Sequence, residues 1–254
     1  MHDHIIYELP INERIRTLLR LEHLFTRAEH HLAGNTLWDA RASINTLIEI
    51  LCIGGRADLK SELLKALDRQ SNNLSKMAGT PGVDENRLQQ IISNLENISQ
   101  KLFSLSGQVG LTLRNNDFIK SIMQRSSIPG GTCDFDLPAY HHWLSQDPQS
   151  QKETLGNWFD TFDIVKQATT LILQLIRQSS DATEHLAEHG FYQETMEVNQ
   201  PAQLIRVGIQ QGLMYAEISG GKHRFAIRFL SMTMEGRPTQ ADVDVPFQLA
   251  RCFI

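Results

Sequence analysis

From Gly190 onward the hydrophobic period of this 254-residue chain becomes two, and that change restricts the fold more than any other feature. Before it, apolar residues recur at three- and four-residue steps, the mark of helices with one buried side. After it they alternate. The stretches FYQETMEV, QLIRVGIQ, MYAEISG, KHRFAIRFLSM and ADVDVPFQLARCF are separated by Gly, Pro, Asn and Gln turns and read as antiparallel strands.

Within the helical part, Asn12 caps a first helix whose buried side is Ile15, Leu18, Phe25, Ala28 and Leu32. A second carries Ala40, Ile44, Leu47, Ile48 and Leu51 and stops at Gly54-Gly55. Asp58 caps a third, with Leu59, Leu63, Leu67, Leu74 and Met77 inward. After the breaker Gly79–Val83, Asp84 caps a fourth, marked by Leu88, Ile91, Ile92, Leu95, Ile98 and Leu102, and a shorter helix runs from Asn116 through Arg125. CDFDLP, following Ile128-Pro129-Gly130-Gly131, reads as a strand. Pro138 then opens a short helix, and two more fill Pro148 to Gln178. At the start, HIIYEL is a strand stopped by Pro10, which must pair with something distant in sequence. Helices and strands are segregated, which is the α+β pattern. The expected fold is a mainly helical domain (11–127 and 138–180) plus a smaller antiparallel β-sheet domain (1–10, 128–137 and 190–254), with the N-terminal strand joining the sheet.

A net charge of -5 and a pI near 6.1 argue against general nucleic-acid binding, where a basic domain is expected. MHDHIIYELPINERIR lacks a basic segment followed by an apolar run, so no signal peptide is expected. No stretch approaches the about 18 apolar residues of a membrane span. Cys52, Cys133 and Cys252 are scattered and odd in number, which suits reduced thiols in a cytoplasm.

The alternation over Lys222–Leu230 is also a separation of charge. His223, Phe225, Ile227 and Phe229 form one side, expected inward, and Lys222, Arg224 and Arg228 lie on the other with Ala226. Arg206 faces the polar side of a second strand. The bland alternative is a solvated strand face neutralised by Asp242 and Asp244, expected on a neighbouring strand opposite Val243, Val245, Phe247 and Leu249. Three like charges at period two repel one another unless an anionic partner is expected, and this favours a docking surface.

Catalytic signals are weak by comparison. His30-His31 and His141-His142 are adjacent pairs, which point about 100° apart on a helix and cannot both ligate one ion. Asp134 and Asp136 share one side of the expected strand, and Cys133 with His141 or His142 suggests a thiol nucleophile, but neither pattern carries a family signature. Ile218-Ser219-Gly220-Gly221 matches no phosphate-binding loop and reads as a hairpin turn.

In chain order, LPINERIRTLLRLEHL, SELLKALDRQ, the PGVD turn, SIPGGTCDFDLPAYHHWL, LILQLIRQS, GFYQ and SGGKHRFAIRF resemble the ZapD family of bacterial cell-division proteins. The matches span nearly the whole chain, with Asp181–Glu188 and Met232–Arg237 matching weakly. The resemblance implies a cytoplasmic, non-enzymatic protein, without a cofactor, located at mid-cell with the division ring. Such a protein binds the tubulin-like protein FtsZ and bundles its protofilaments, promoting Z-ring assembly. It further implies a homodimer, here expected through the helical block, and a β domain that binds the FtsZ C-terminal tail, a segment mixing acidic and apolar residues. The expected contacts are Lys222, Arg224, Arg228 and Arg206. Arg20 and Arg56 lie in family-like sequence and are secondary anion-binding candidates, with a dimer cleft or a solvated role as the alternatives. The competing function is a hydrolase-type enzyme using the Cys133, Asp134, Asp136 and His141 neighbourhood, which requires those groups to converge in a pocket. Neither nucleic acid nor membrane is an expected partner.

Overall fold

Most of the long helices begin where a side chain can accept the first free backbone N–H groups. The computed structural model describes residues 4–197, 202–232 and 236–253. Residues 1–3, 198–201, 233–235 and 254, which include the Val198 end of the expected FYQETMEV strand, lie outside the described residues.

Asn12 Oδ1 accepts from Ile15 N at 3.0 Å and starts α1 (Glu13–Ala33), whose Ile15, Leu18, Phe25 and Ala28 are buried as the spacing requires. Helix α2 (Leu37–Gly54) opens with a capping box in which Thr36 and Asp39 satisfy each other's backbone. The hydrogen bonds from Thr36 hold the Asp39 carboxyl down at about 2. Asp84 Oδ1 accepts from Arg87 N at 3.1 Å and starts α4 (Glu85–Ser104). Helix α3 (Leu59–Ser75) corrects an expectation: Asp58 makes no capping bond, because its carboxylate is held by Arg56 at 3.0 Å. The end of that stripe is also overextended, since Met77 is exposed beyond the helix. A single turn, α5 (Leu111–Arg114), precedes α6 (Asp117–Arg125), and α7 (Pro138–Leu144), α8 (Pro148–Asp160) and α9 (Asp163–Gln178) follow.

The expected strand at CDFDLP is absent. Residues 126–136 form consecutive tight turns, with Cys133 N donating to Gly130 O at 3.1 Å and Asp136 N donating to Cys133 O at 3.2 Å. The reason is local: Gly130 takes φ 71, and the Asp side chains offer the backbone turn partners that compete with a ladder. The stretch 128–137 accordingly lies in the helical unit, Thr17–Ile172.

The second unit comprises Met1–Arg16 and Leu173–Ile254. Its strands are β1 (His4–Pro10), β2 (Thr183–Ala187), β3 (Phe191–Thr195), β4 (Leu204–Gln210), β5 (Met214–Gly220), β6 (Arg224–Ser231), β7 (Thr239–Gln240) and β8 (Val245–Cys252). The N-terminal strand pairs antiparallel with β4, Tyr7 opposite Val207, and completes a sheet of order β1-β4-β8-β2. The other sheet has the order β3-β6-β5, with β7 added to the end of β6. The segment before Gly190, which the strand readings of the sequence did not include, supplies strand β2.

Both sheets turn alternate residues into one shared core. Ile205, Val207 and Ile209 of β4, Val245, Phe247 and Leu249 of β8, and Phe225, Ile227 and Phe229 of β6 belong to it, with Phe229 and Phe247 ring centroids 5.2 Å apart. Val243 does not join them. It is exposed and precedes β8, so the expected alternation begins two residues late.

Removing an aromatic side chain from this junction leaves a cavity in addition to the lost burial. Phe229→Ala is expected to destabilise the protein by about 3–5 kcal/mol. Urea denaturation followed by far-UV circular dichroism checks this, and a loss below about 1 kcal/mol would show that the two sheets do not depend on this contact.

Candidate binding surface

Strand β6 is hydrogen-bonded on both sides, so its main chain is occupied and its outer face is defined by register. Arg228 lies between Phe191 on β3 and Glu217 on β5, Ala226 between Gln193 and Ser219, and Arg224 opposite Thr195. Residues directly opposite share a face of the sheet. Phe225, Ile227 and Phe229 are 1% exposed or less, so the even positions are turned outward, and Arg224 and Arg228 are exposed. Phe191, 39% exposed, adds an aromatic ring beside Arg228 that the charge pattern gave no reason to include.

Lys222 sits at the same end but in the β5–β6 turn, which Gly221 N closes by donating to Arg224 O at 3.0 Å. His223 is in that turn too and is exposed, not inward as the alternation suggested, because the pleat ends at Arg224. Among the described residues, Lys222, Arg224 and Arg228 form no ion pair. Asp242 and Asp244, the candidates for neutralising them, form no ion pair with them among the described residues, and the Asp244 carboxylate is engaged elsewhere. Asp244 accepts from His189 N at 3.0 Å, and the Asp242 carbonyl bonds His189 Nδ1 at 2.9 Å. This backbone bond, helped by the nearby acidic groups, raises the His189 pKa.

Arg206 is not part of this face. It lies on the other sheet, where its Nε donates to Glu8 Oε1 at 2.9 Å while Arg177 from the end of α9 donates to both Glu8 oxygens, at 2.9 and 2.8 Å. Burial pushes the Glu8 carboxyl up, but the two guanidiniums outweigh it and hold the carboxyl below its ordinary 4.5. The sequence spaced these three residues far apart, and nothing in their local pattern announces the network. Next to it, burial pushes the Cys252 thiol up to about 11, which leaves it protonated and unreactive at neutral pH.

Arg20 and Arg56 belong to the helical unit. Arg20 is exposed on α1. Arg56 is committed: it donates to Thr17 Oγ1 at 3.0 Å and grips Asp58 through Nε and Nη2.

The candidate catalytic neighbourhood is dispersed. Asp134 accepts from Phe135 N at 2.9 Å, Asp136 pairs with Arg125 at 3.6 Å, and Cys133 and His141 are exposed with no bond between them among the described contacts. The His141-His142 pair lies in the last turn of the short helix α7, and among the described residues no three His, Cys, Asp or Glu gather at a metal-binding distance. Among the same residues, no helix is long and apolar enough to cross a membrane.

These features define an α+β chain whose most distinctive chemical feature is an unpaired basic strand face. Its sequence matches the family described as "ZapD: Cell division protein" over residues 19–228. It is 42% identical to the cell division protein ZapD of Methylococcus capsulatus over 255 residues, covering all of both chains. Against the ZapD of Aromatoleum aromaticum it is 38% identical over 98% of this chain and 97% of that one, and against the ZapD of Ralstonia pickettii 38% over 98% and 99%. The chain therefore belongs to the ZapD family of cell division proteins.

The ion pairs of the β unit carry a pH signature. Glu8 and Glu194 both titrate below 4.5 in the folded chain, so the stability they supply is present above that value and is lost as pH falls through the lowered folded values. The urea midpoint is expected to stay level from about pH 7 to about pH 5 and to drop below about pH 4.5. Glu8→Gln, which leaves Arg177 and Arg206 without their carboxylate, is expected to cost about 1.5–3 kcal/mol at neutral pH and to make the acid drop shallower. An unchanged acid profile in this variant would remove Glu8 from the account.

Proposed function

We propose that this chain is a cytoplasmic, non-enzymatic division factor that binds the C-terminal tail of FtsZ and cross-links FtsZ protofilaments at mid-cell. The observation that carries the reading is the exposed face of Lys222, Arg224 and Arg228, unpaired among the described residues of a ZapD-family chain. A tail that mixes acidic and apolar residues, as the family resemblance implies, is complementary to two guanidiniums flanked by an exposed phenyl ring. The enzyme reading gains no support, because its four residues do not converge.

Cross-linking requires that one particle hold two filaments, and a two-fold dimer with one basic face per copy is the simplest such particle. Its support is apolar: Trp38, Phe103 and Phe135 of the helical unit are 74%, 74% and 80% exposed. Light scattering is expected to give twice the chain mass of 28.8 kDa at micromolar concentration; a monomer would defeat the bivalent part of the proposal.

Tail binding is tested by titrating a labelled FtsZ tail peptide. Arg224→Glu or Arg228→Glu is expected to weaken it at least tenfold, about 1.4 kcal/mol, with circular dichroism unchanged because both side chains face away from the core. Affinity should also fall with added salt, since exposed charge pairs are screened. Equal affinity of wild type and both variants would move the site off this strand.

A further inference from the structure

The central strand β6 has no free main chain, but its neighbour β3 does. Met196 N donates to His223 O and Phe229 N donates to Gly190 O, both at 2.8 Å, which fixes the even residues of β3 as the ones bonded to β6. In an antiparallel ladder the intervening residues point their N–H and C=O the other way. Those of Phe191 are partly used, its N–H donating to Glu188 O at 3.0 Å in the turn from β2. No strand among the described residues pairs with Gln193 and Thr195 on that side. The usual protections of an exposed edge, lysine, proline or a bulge, are missing from FYQET, and the two outward-directed residues are neutral and small or flexible.

Each side of this edge has a distinct chemistry. On the outer face, the side chains of Phe191, Gln193 and Thr195 stand beside Arg228, Ala226 and Arg224. On the inner side a cavity of about 330 Å³ opens along the strand, and Met196, Ala202 and Phe253 supply its apolar wall. Two acidic residues also line it, Glu197 and Glu194, the latter matched by a fork from Arg251, with both contacts at 2.5 Å, and by the Tyr192 hydroxyl at 2.6 Å. Burial raises the Glu194 carboxyl, and those hydrogen bonds then bring it below 4.5.

We propose that the acidic partner peptide binds by adding a strand to the free edge of β3, with alternate side chains directed to Arg224 and Arg228 outside and to the Met196–Phe253 cavity inside. The proposal rests on the tail-binding reading above and deepens it by specifying how the peptide is held. A strand has two faces at period two, so a segment alternating acidic and apolar residues fits both at once. The added strand would lie two strand spacings from β6, about 10 Å, which an extended arginine can cross, Arg224 passing over Thr195 and Arg228 lying along the Phe191 ring. The main chain of Gln193 and Thr195 then supplies hydrogen bonds that are independent of peptide sequence, and the arginines supply the choice of acidic partner.

The test uses the full-length protein and synthetic FtsZ tail peptides carrying backbone N-methyl groups at odd or at even positions. Strand addition predicts that one set weakens binding at least tenfold and the other leaves it unchanged, because alternate amides of an added strand face β3. It also predicts slowed amide exchange at Gln193 and Thr195 in the complex. Thr195→Pro removes an outward N–H that the β3–β6 ladder does not use, and is expected to weaken binding at least tenfold, while Thr195→Val retains wild-type affinity. Should Arg224→Glu weaken binding while neither N-methyl set does, the peptide docks by side chains alone and strand addition is overturned with the tail-binding reading intact. Absence of any binding to the wild-type chain would overturn both.

Discussion

The burial of Phe225 and Phe229 in the core that the two sheets share is the constraint on which the rest of the β unit depends. These two rings and Ile227 are turned fully inward, and Phe229 meets Phe247 of β8 across the core. Because side chains alternate along a strand, burying the odd positions of β6 forces Arg224 and Arg228 to the outside. A slip of one residue would bury both guanidiniums and expose two phenyl rings, so the register is held by a large energy difference. The basic face is thus a consequence of the core, and its geometry is as rigid as the packing behind it.

The charges of this unit fall into two groups that obey different rules. Glu8 with Arg177 and Arg206, and Glu194 with Arg251 and Tyr192, are partly buried, and every member finds hydrogen-bond partners. Partial burial penalises an unmatched charge heavily, which explains why these clusters are closed. Arg224 and Arg228 are exposed, and water solvates them at little cost. Glu217 is near Arg228 in register without forming an ion pair. An exposed cation that no neighbour claims is available to a partner, whereas Arg206, of the same residue type and on a strand of the same unit, is not. Position relative to solvent, not charge count, separates them.

How much of this could be read from the chain follows the same division between local and distant causes. The α1, α2 and α4 stripes, the β6 alternation and the late β strands are written in residues a few positions apart, and periodicity recovers them. CDFDLP failed because its alternation of apolar and acidic residues mimics a strand, while the preceding Pro-Gly-Gly and the Asp side chains favour turns. Asp58 looked like a cap by its position, yet Arg56, two residues earlier, captures it. Arg206 was grouped with the basic face because its own strand shows it on the polar side; its partner Glu8 is almost two hundred positions away, and no short-range pattern carries that fact. The free edge of β3 is legible in neither composition nor period, since it depends on which strand lies on each side.

An acidic partner for a chain of net charge -5 is consistent once distances are considered. At physiological ionic strength the field of a surface charge decays over about 8 Å. A peptide on the free edge of β3 would therefore sense Arg224 and Arg228, the latter with Glu217 opposite it on β5, more strongly than the acidic residues farther off on the chain. At low ionic strength the balance changes, because the net negative charge reaches further and opposes approach while the local pairs also gain strength. Net charge thus bears on how an acidic partner would approach from a distance, and the arrangement of one strand on the short-range pairing it would find.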